Sequence, residues 1–123
     1  MLEATILVKA DKESLKIVLR NLLDNALKYT GENGEIAIKT YNDSEEFSTI
    51  EIKDTGFGIS EEKLAKIKGL EDLSIDKINR SEGVGLGMLL CQTLIKKNNG
   101  KLLIDSELEV GTTIRILLPN ASA

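Results

Sequence analysis

Histidine and tryptophan are absent from this chain, and cysteine and proline occur once each. Without histidine there is no catalytic triad, no histidine-ligated metal site and no phosphohistidine on the chain itself. Cys91, alone, excludes an internal disulfide; it reads as a helix residue of no special reactivity in a reducing, cytoplasmic setting. Aromatics make up only 3% of the residues, so the core has to be built from leucine and isoleucine. No apolar run approaches the about 20 residues of a membrane span, and no signal peptide is visible. A net charge of −4 with no basic block argues against a nucleic-acid surface. What is present describes one soluble domain, residues 1–123, with 41% hydrophobic and 29% charged residues.

The most informative stretch is Arg20–Thr30, RNLLDNALKYT. Asn21, Asn25 and Lys28 stand four and three residues apart, which stacks them as one polar stripe on a helix. Beside that stripe run Leu15, Val18, Leu19, Leu22, Leu23, Ala26 and Leu27, an apolar face of helical period. A helix of this kind packs with one side and presents carboxamides with the next, as a pocket wall does. Asp11 is its expected N-cap, Lys12 to Tyr29 its span and Gly31 its stop.

Before that helix, Leu2 to Val8 reads as a first strand. After it, an Asn-Gly turn at 33–34 leads to strands at 35–40 and 47–53, joined by a polar turn at 42–46. Asp54 continues the inward phase of Ile50 and Ile52. A carboxylate at that phase is costly unless it has a partner, which makes Asp54 a stronger site candidate than any exposed acid. Gly56 and Gly58 follow in DTGFG, where the backbone can turn sharply or lie against a ligand. Ser60 caps a short helix to about Ile67, and 69–82 shows no period and reads as a lid. GVGLG at Gly83–Gly87 then opens a helix through Lys97, with Leu86, Leu89, Leu90 and Leu94 inward and Gly100 ending it. Its backbone amides and helix dipole suit phosphates. It is neither a P-loop nor a Rossmann fingerprint, since no Lys-Ser or Lys-Thr follows and no βαβ unit precedes it. Strands at 101–105 and 112–118 around a turn at 109–111 close the chain.

The order NLLDNALKYT, DTGFGIS, GVGLGM and GTT resembles the catalytic ATP-binding domain of sensor histidine kinases, from about Leu2 to Pro119. That family shares its fold with gyrase, heat-shock chaperone and mismatch-repair ATPases. The resemblance implies a two-layer α/β (α+β) sandwich of Bergerat type. It has a mixed sheet with helices packed on one face, and ATP between the helices and a mobile lid.

It also implies roles. Asn25 resembles the ligand of the Mg²⁺ that bridges the phosphates, an amide oxygen being a suitable hard donor. Asn21 helps hold the phosphates or metal-bound water, and Lys28 supplies them with positive charge. Tyr29 lies against the adenine, and Asp54 accepts from its amino group where guanine presents a carbonyl. Gly56, Gly58 and Ile59 pass the base, while Gly83, Val84, Gly85, Leu86 and Gly87 wrap the phosphates. Thr112 or Thr113 completes the adenine pocket through a hydroxyl and water. Hydrolysing relatives carry a glutamate where this chain has Asn21, a carboxamide that cannot act as a base. This favours γ-phosphate transfer to a histidine on a separate dimerisation domain, with a response regulator downstream.

The lid departs from the family pattern. Leu70 and Leu73 stand where phenylalanines are usual, and a basic residue usual near Ser74 is missing; Lys77 and Arg80 read either as its replacement at the γ-phosphate or as part of a solvated loop. The expectation is an excised cytoplasmic catalytic domain that binds ATP and lacks its phosphoacceptor hairpin, any membrane anchor belonging to the parent kinase. Two other readings share the motifs: a stand-alone serine kinase of anti-sigma type, and a nucleotide-binding regulatory module with weak catalysis.

Overall fold

The structure is a computed structural model, which describes residues 6–69 and 86–121, the side chains of 66–69 and 86 excepted. Its first element is α1 (Lys12–Tyr29), with the span the periodicity predicts. Asp11 caps it: the Ser14 amide donates to Asp11 Oδ2 over 2.9 Å and the Ser14 hydroxyl over 2.8 Å. These bonds hold the Asp11 carboxyl below its ordinary pKa. At the other end the Thr30 amide bonds back to Ala26 O at 3.0 Å, and Thr30 itself is extended.

The strands β1 (Ile36–Asn42) and β2 (Phe47–Asp54) form a hairpin, as do β3 (Lys101–Glu107) and β4 (Gly111–Pro119). Between the hairpins lie α2 (Glu61–Gly69) and α3 (Leu86–Lys97). The two hairpins join through β2 and β4, giving the order β1-β2-β4-β3. Every strand pairing among the described residues is therefore antiparallel, where the family resemblance implies a mixed sheet.

The register puts Asp54, Thr112 and Ser106 in one row, then Ile52, Ile114 and Ile104, then Ile50, Ile116 and Leu102. This face packs against α1 and α3 through Val18, Leu22, Ala26, Met88, Cys91 and Ile95. Full burial of one leucine such as Leu22 contributes about 2 kcal/mol, so the layer contact dominates the cohesion of the fold. The opposite face is wet and charged. There Arg115 on β4 reaches Glu51 on β2 (Nε to Oε1, 3.1 Å) and Asp105 on β3 (Nη1 to Oδ2, 2.8 Å).

Four local expectations are corrected. Of the expected first strand, residues 2–5 lie outside the described range, and Val8 makes only an isolated bridge to Asn120. On α3 the buried positions are Met88, Leu89, Cys91, Gln92 and Ile95, while Leu90 and Leu94 are half-buried, because α3 packs against α1 and β3 together. Leu27 is 66% exposed, since it sits on the flank of α1 away from α3. The left-handed residue ending α3 is Asn99 (φ 61°), and Gly100 instead lies against the Leu117 carbonyl of β4.

Candidate functional site

The inward row at the end of β2 places a buried carboxylate among backbone donors. Asp54 is buried, and its Oδ1 accepts the Gly56 amide at 2.8 Å and the Thr112 amide at 3.3 Å. Among the described residues its Oδ2 accepts no hydrogen bond. One carboxylate oxygen is thus spent on holding the strand ends together, and the other is left for a donor from outside.

Gly56 follows in a position only glycine can fill. A Cβ there would lie 2.5 Å from the Tyr29 carbonyl oxygen and 2.9 Å from Asp54 Oδ1. The end of α1 and the end of β2 are in this way wedged together, and the Phe57 amide donates to Tyr29 O at 3.3 Å. Gly58 has φ 75°, in the left-handed region, and abuts the Glu107 carbonyl. The Glu109 amide donates to Phe57 O at 2.7 Å, and the Ile59 amide to Ser106 Oγ at 2.7 Å. The glycine loop is thereby tied to both α1 and the β3–β4 turn.

Along α1, Asn21 and Asn25 are half-buried and Lys28 is exposed. Asn21 Nδ2 donates to Ile17 O at 2.9 Å, which fixes its rotamer and turns Oδ1 toward α3. A Cβ at Gly87 would lie 3.4 Å from that oxygen, so the first turn of α3 faces the carboxamide directly. The carboxamide of Asn25 makes no hydrogen bond among the described residues, which leaves its oxygen available as a hard ligand. Tyr29 is 52% exposed, and Lys28 Nζ lies 5.4 Å from its ring centroid.

Of the residues singled out from the sequence, Asp54, Gly56, Gly58, Ile59 and Thr112 meet at the sheet end. Asn21, Asn25, Lys28, Tyr29 and Gly87 line the facing helices. Leu86 opens α3, with only its backbone described. Thr113 is set apart: strand alternation turns it to the charged outer face with Arg115, leaving Thr112 as the inward threonine. Lys77, Arg80, Gly83, Val84 and Gly85 lie outside the described residues. Ser106 is the participant that motif reading misses. Only its register opposite Thr112 reveals it, and it lies one residue beyond the expected strand 101–105, in a β3 that runs on to Glu107.

A concavity of about 1170 Å³ lies at the other end of the sheet, around the β1–β2 turn and Pro119–Ala121. A second, of about 570 Å³, touches the site only at Gly56. Neither concavity is lined by Asn21, Asn25, Asp54 or Thr112.

A single helical layer over an antiparallel sheet, with a strand-end aspartate and a carboxamide stripe facing a glycine-opened helix, is the frame of an ATP-binding ATPase domain. The chain belongs to the histidine kinase-, DNA gyrase B- and HSP90-like ATPase family, whose description matches residues 10–122. It is 40% identical over 111 residues to the adaptive-response sensory kinase SasA of Synechococcus elongatus, covering 89% of this chain and 28% of that kinase. It is 37% identical over 110 residues to the sensor protein SrrB of Staphylococcus aureus, covering 89% of this chain and 19% of that protein. Among solved structures it matches the catalytic domain of histidine kinase ThkA with a TM-score of 0.72 and 30% identity, over 91% of this chain and 71% of that one. The mycobacterial sensor histidine kinase MprB matches with a TM-score of 0.71 and 27% identity, over 92% and 76% respectively. The chain therefore has the catalytic-domain fold of a sensor histidine kinase and spans under a third of the length of these curated relatives. Among the described residues no helix is long and apolar enough to cross a membrane.

Proposed function

We propose that this chain binds Mg-ATP and transfers the γ-phosphate to a histidine on the dimerisation domain of a longer kinase, which then serves a response regulator. The observation that carries this reading is Asp54, buried and hydrogen-bonded through Oδ1, with Oδ2 left as an acceptor. Such an oxygen suits the exocyclic amino group of adenine and repels the carbonyl that guanine carries at the same place.

At the other end of the site, Asn21, Asn25, Lys28 and the first turn of α3 suit a polyphosphate. The N-terminal amides of α3 have no intrahelical acceptors and carry the positive end of the helix dipole. Asn25 would hold Mg²⁺, which usually takes one or two protein oxygens alongside phosphates and water and neutralises phosphate charge when bound. No cluster of acidic or cysteine ligands competes for it among the described residues. Lys28, over the Tyr29 ring and in no ion pair among the described residues, adds charge neutralisation.

Asn21 cannot take a proton from water, so this chain positions ATP without supplying the nucleophile. The acceptor histidine comes from elsewhere, because this chain has none. Its ring nitrogen attacks the γ-phosphorus, the bond to the β,γ-bridging oxygen breaks, and ADP leaves. The charges of Lys77 and Arg80 would suit the γ-phosphate.

The test is reconstitution. A histidine-bearing dimerisation hairpin from the parent kinase is mixed with this chain and γ-labelled ATP, and acid-labile label on the hairpin is followed. Label on the hairpin, lost with Asn25→Ala, supports the reading. Absence of label, with ATP bound, contradicts transfer to histidine.

A further inference from the structure

Ser106 stands behind the proposed base site, on the neighbouring strand from Thr112, and its hydroxyl has three partners. It accepts from the Ile59 amide at 2.7 Å, approaches the Gly111 carbonyl at 3.1 Å, and lies 2.8 Å from Thr112 Oγ1. A serine hydroxyl has one proton and two lone pairs. The amide can only donate to it, and the carbonyl can only accept from it. All three contacts are satisfied together in one way: the Ser106 proton goes to Gly111 O, and Thr112 donates its own proton to Ser106.

The consequence falls on Thr112. Its amide is committed to Asp54 Oδ1 and its hydroxyl proton to Ser106, so only lone pairs of that hydroxyl remain for a ligand. Asp54 Oδ2 is likewise an acceptor. Both groups that the row offers to a base therefore seek donors. A purine with a 6-amino group brings two N–H bonds, whereas a 6-oxo purine brings an oxygen that neither group can bond.

We propose that Ser106 is a positioning residue for base selection, locking the Thr112 hydroxyl as an acceptor and so favouring 6-amino over 6-oxo purine nucleotides. The inference rests on the nucleotide reading above. Ser106 acts on base choice through Thr112, while its bond from the Ile59 amide ties the glycine loop to β3. Without it the Thr112 hydroxyl rotates freely and can donate to a 6-oxo oxygen, which removes part of the penalty against that base.

The experiment titrates this chain with ATP and with inosine triphosphate, which presents a 6-oxo group. Ser106→Ala lowers the preference for ATP by about tenfold, the discrimination of roughly one hydrogen bond. Ser106→Thr, which keeps the hydroxyl, retains the wild-type ratio. Thr112→Val lowers the ratio to a similar extent, and Ser106→Ala adds nothing on that background. Ser106→Cys leaves no cavity, being slightly larger, while weakening all three bonds, and it reads the same ratio where the alanine variant unfolds.

Equal weakening of both nucleotides by Ser106→Ala would make Ser106 a structural clamp and overturn the inference while ATP binding stands. Independent, additive effects of the serine and threonine variants would overturn it as well. Failure of the unmodified chain to bind ATP removes the nucleotide reading itself and the inference with it.

Discussion

Gly56 and Tyr29 touch through their backbones: a Cβ at Gly56 would lie 2.5 Å from the Tyr29 carbonyl oxygen. Through this contact the helix that carries Asn21, Asn25 and Lys28 keeps a fixed position against the strand end that carries Asp54. Both neighbours of the added methyl in Gly56→Ala belong to the site, so relief requires the helix end or the aspartate to move. The variant is expected to lose about 2 kcal/mol of stability and to bind ATP more weakly at a temperature where it is fully folded. Calorimetric unfolding and a nucleotide titration on one preparation check both effects.

Burial pushes the Cys91 thiol up to about 11. The unfolded thiol ionises at its ordinary pKa, while the folded thiol stays protonated until about 11. Stability from this group is present below the unfolded value and is lost as pH rises from there toward about 11. Between about pH 8 and pH 10.5 the wild-type chain should lose more of its denaturant midpoint than Cys91→Ala does. Parallel pH dependences in the two proteins would contradict the assignment.

Arg115 bridges Glu51 and Asp105 on the face of the sheet turned away from the site. Glu51 is the less exposed partner, at 14%, so removing the guanidinium strands it more than Asp105. Arg115→Ala should cost about 1 kcal/mol in denaturant unfolding and leave ATP affinity unchanged. A change in affinity would mean that the outer face is coupled to the nucleotide site.

Asn21 faces the first turn of α3 with a carboxamide that cannot accept a proton. Asn21→Glu supplies a base at that place. Phosphate release from ATP by the variant should rise at least about tenfold over the unmodified chain. An unchanged rate would show that the carboxamide is not what restrains hydrolysis.

Much of this arrangement is legible in the sequence because it is local. The cap at Asp11, the period of Val18, Leu22 and Ala26, and the phase that turns Asp54 inward all act within a few residues. The glycines of DTGFG announce close approach, yet their neighbours, Tyr29 and Glu107, are known only once the chain has folded. Ser106 escapes for the same reason: its meaning depends on pairing with Thr112 and on the Ile59 amide, 47 residues away. The choice between Thr112 and Thr113 needs the strand register, and the antiparallel sheet needs the long-range pairing of β2 with β4. Leu27 misleads because helical period alone does not say how wide the covered stripe is.

The placement of adenine at Asp54 is read by a calorimetric titration of this chain and of Asp54→Asn with ATP and GTP, with and without Mg²⁺. The unmodified chain should bind ATP in the micromolar range, on the order of −8 kcal/mol, more tightly with Mg²⁺ and with no response to GTP. Asp54→Asn should lose the ATP response. ATP binding that survives the substitution unchanged would contradict the placement of the base at Asp54, and no ATP binding by the intact chain would contradict the nucleotide-binding account as a whole.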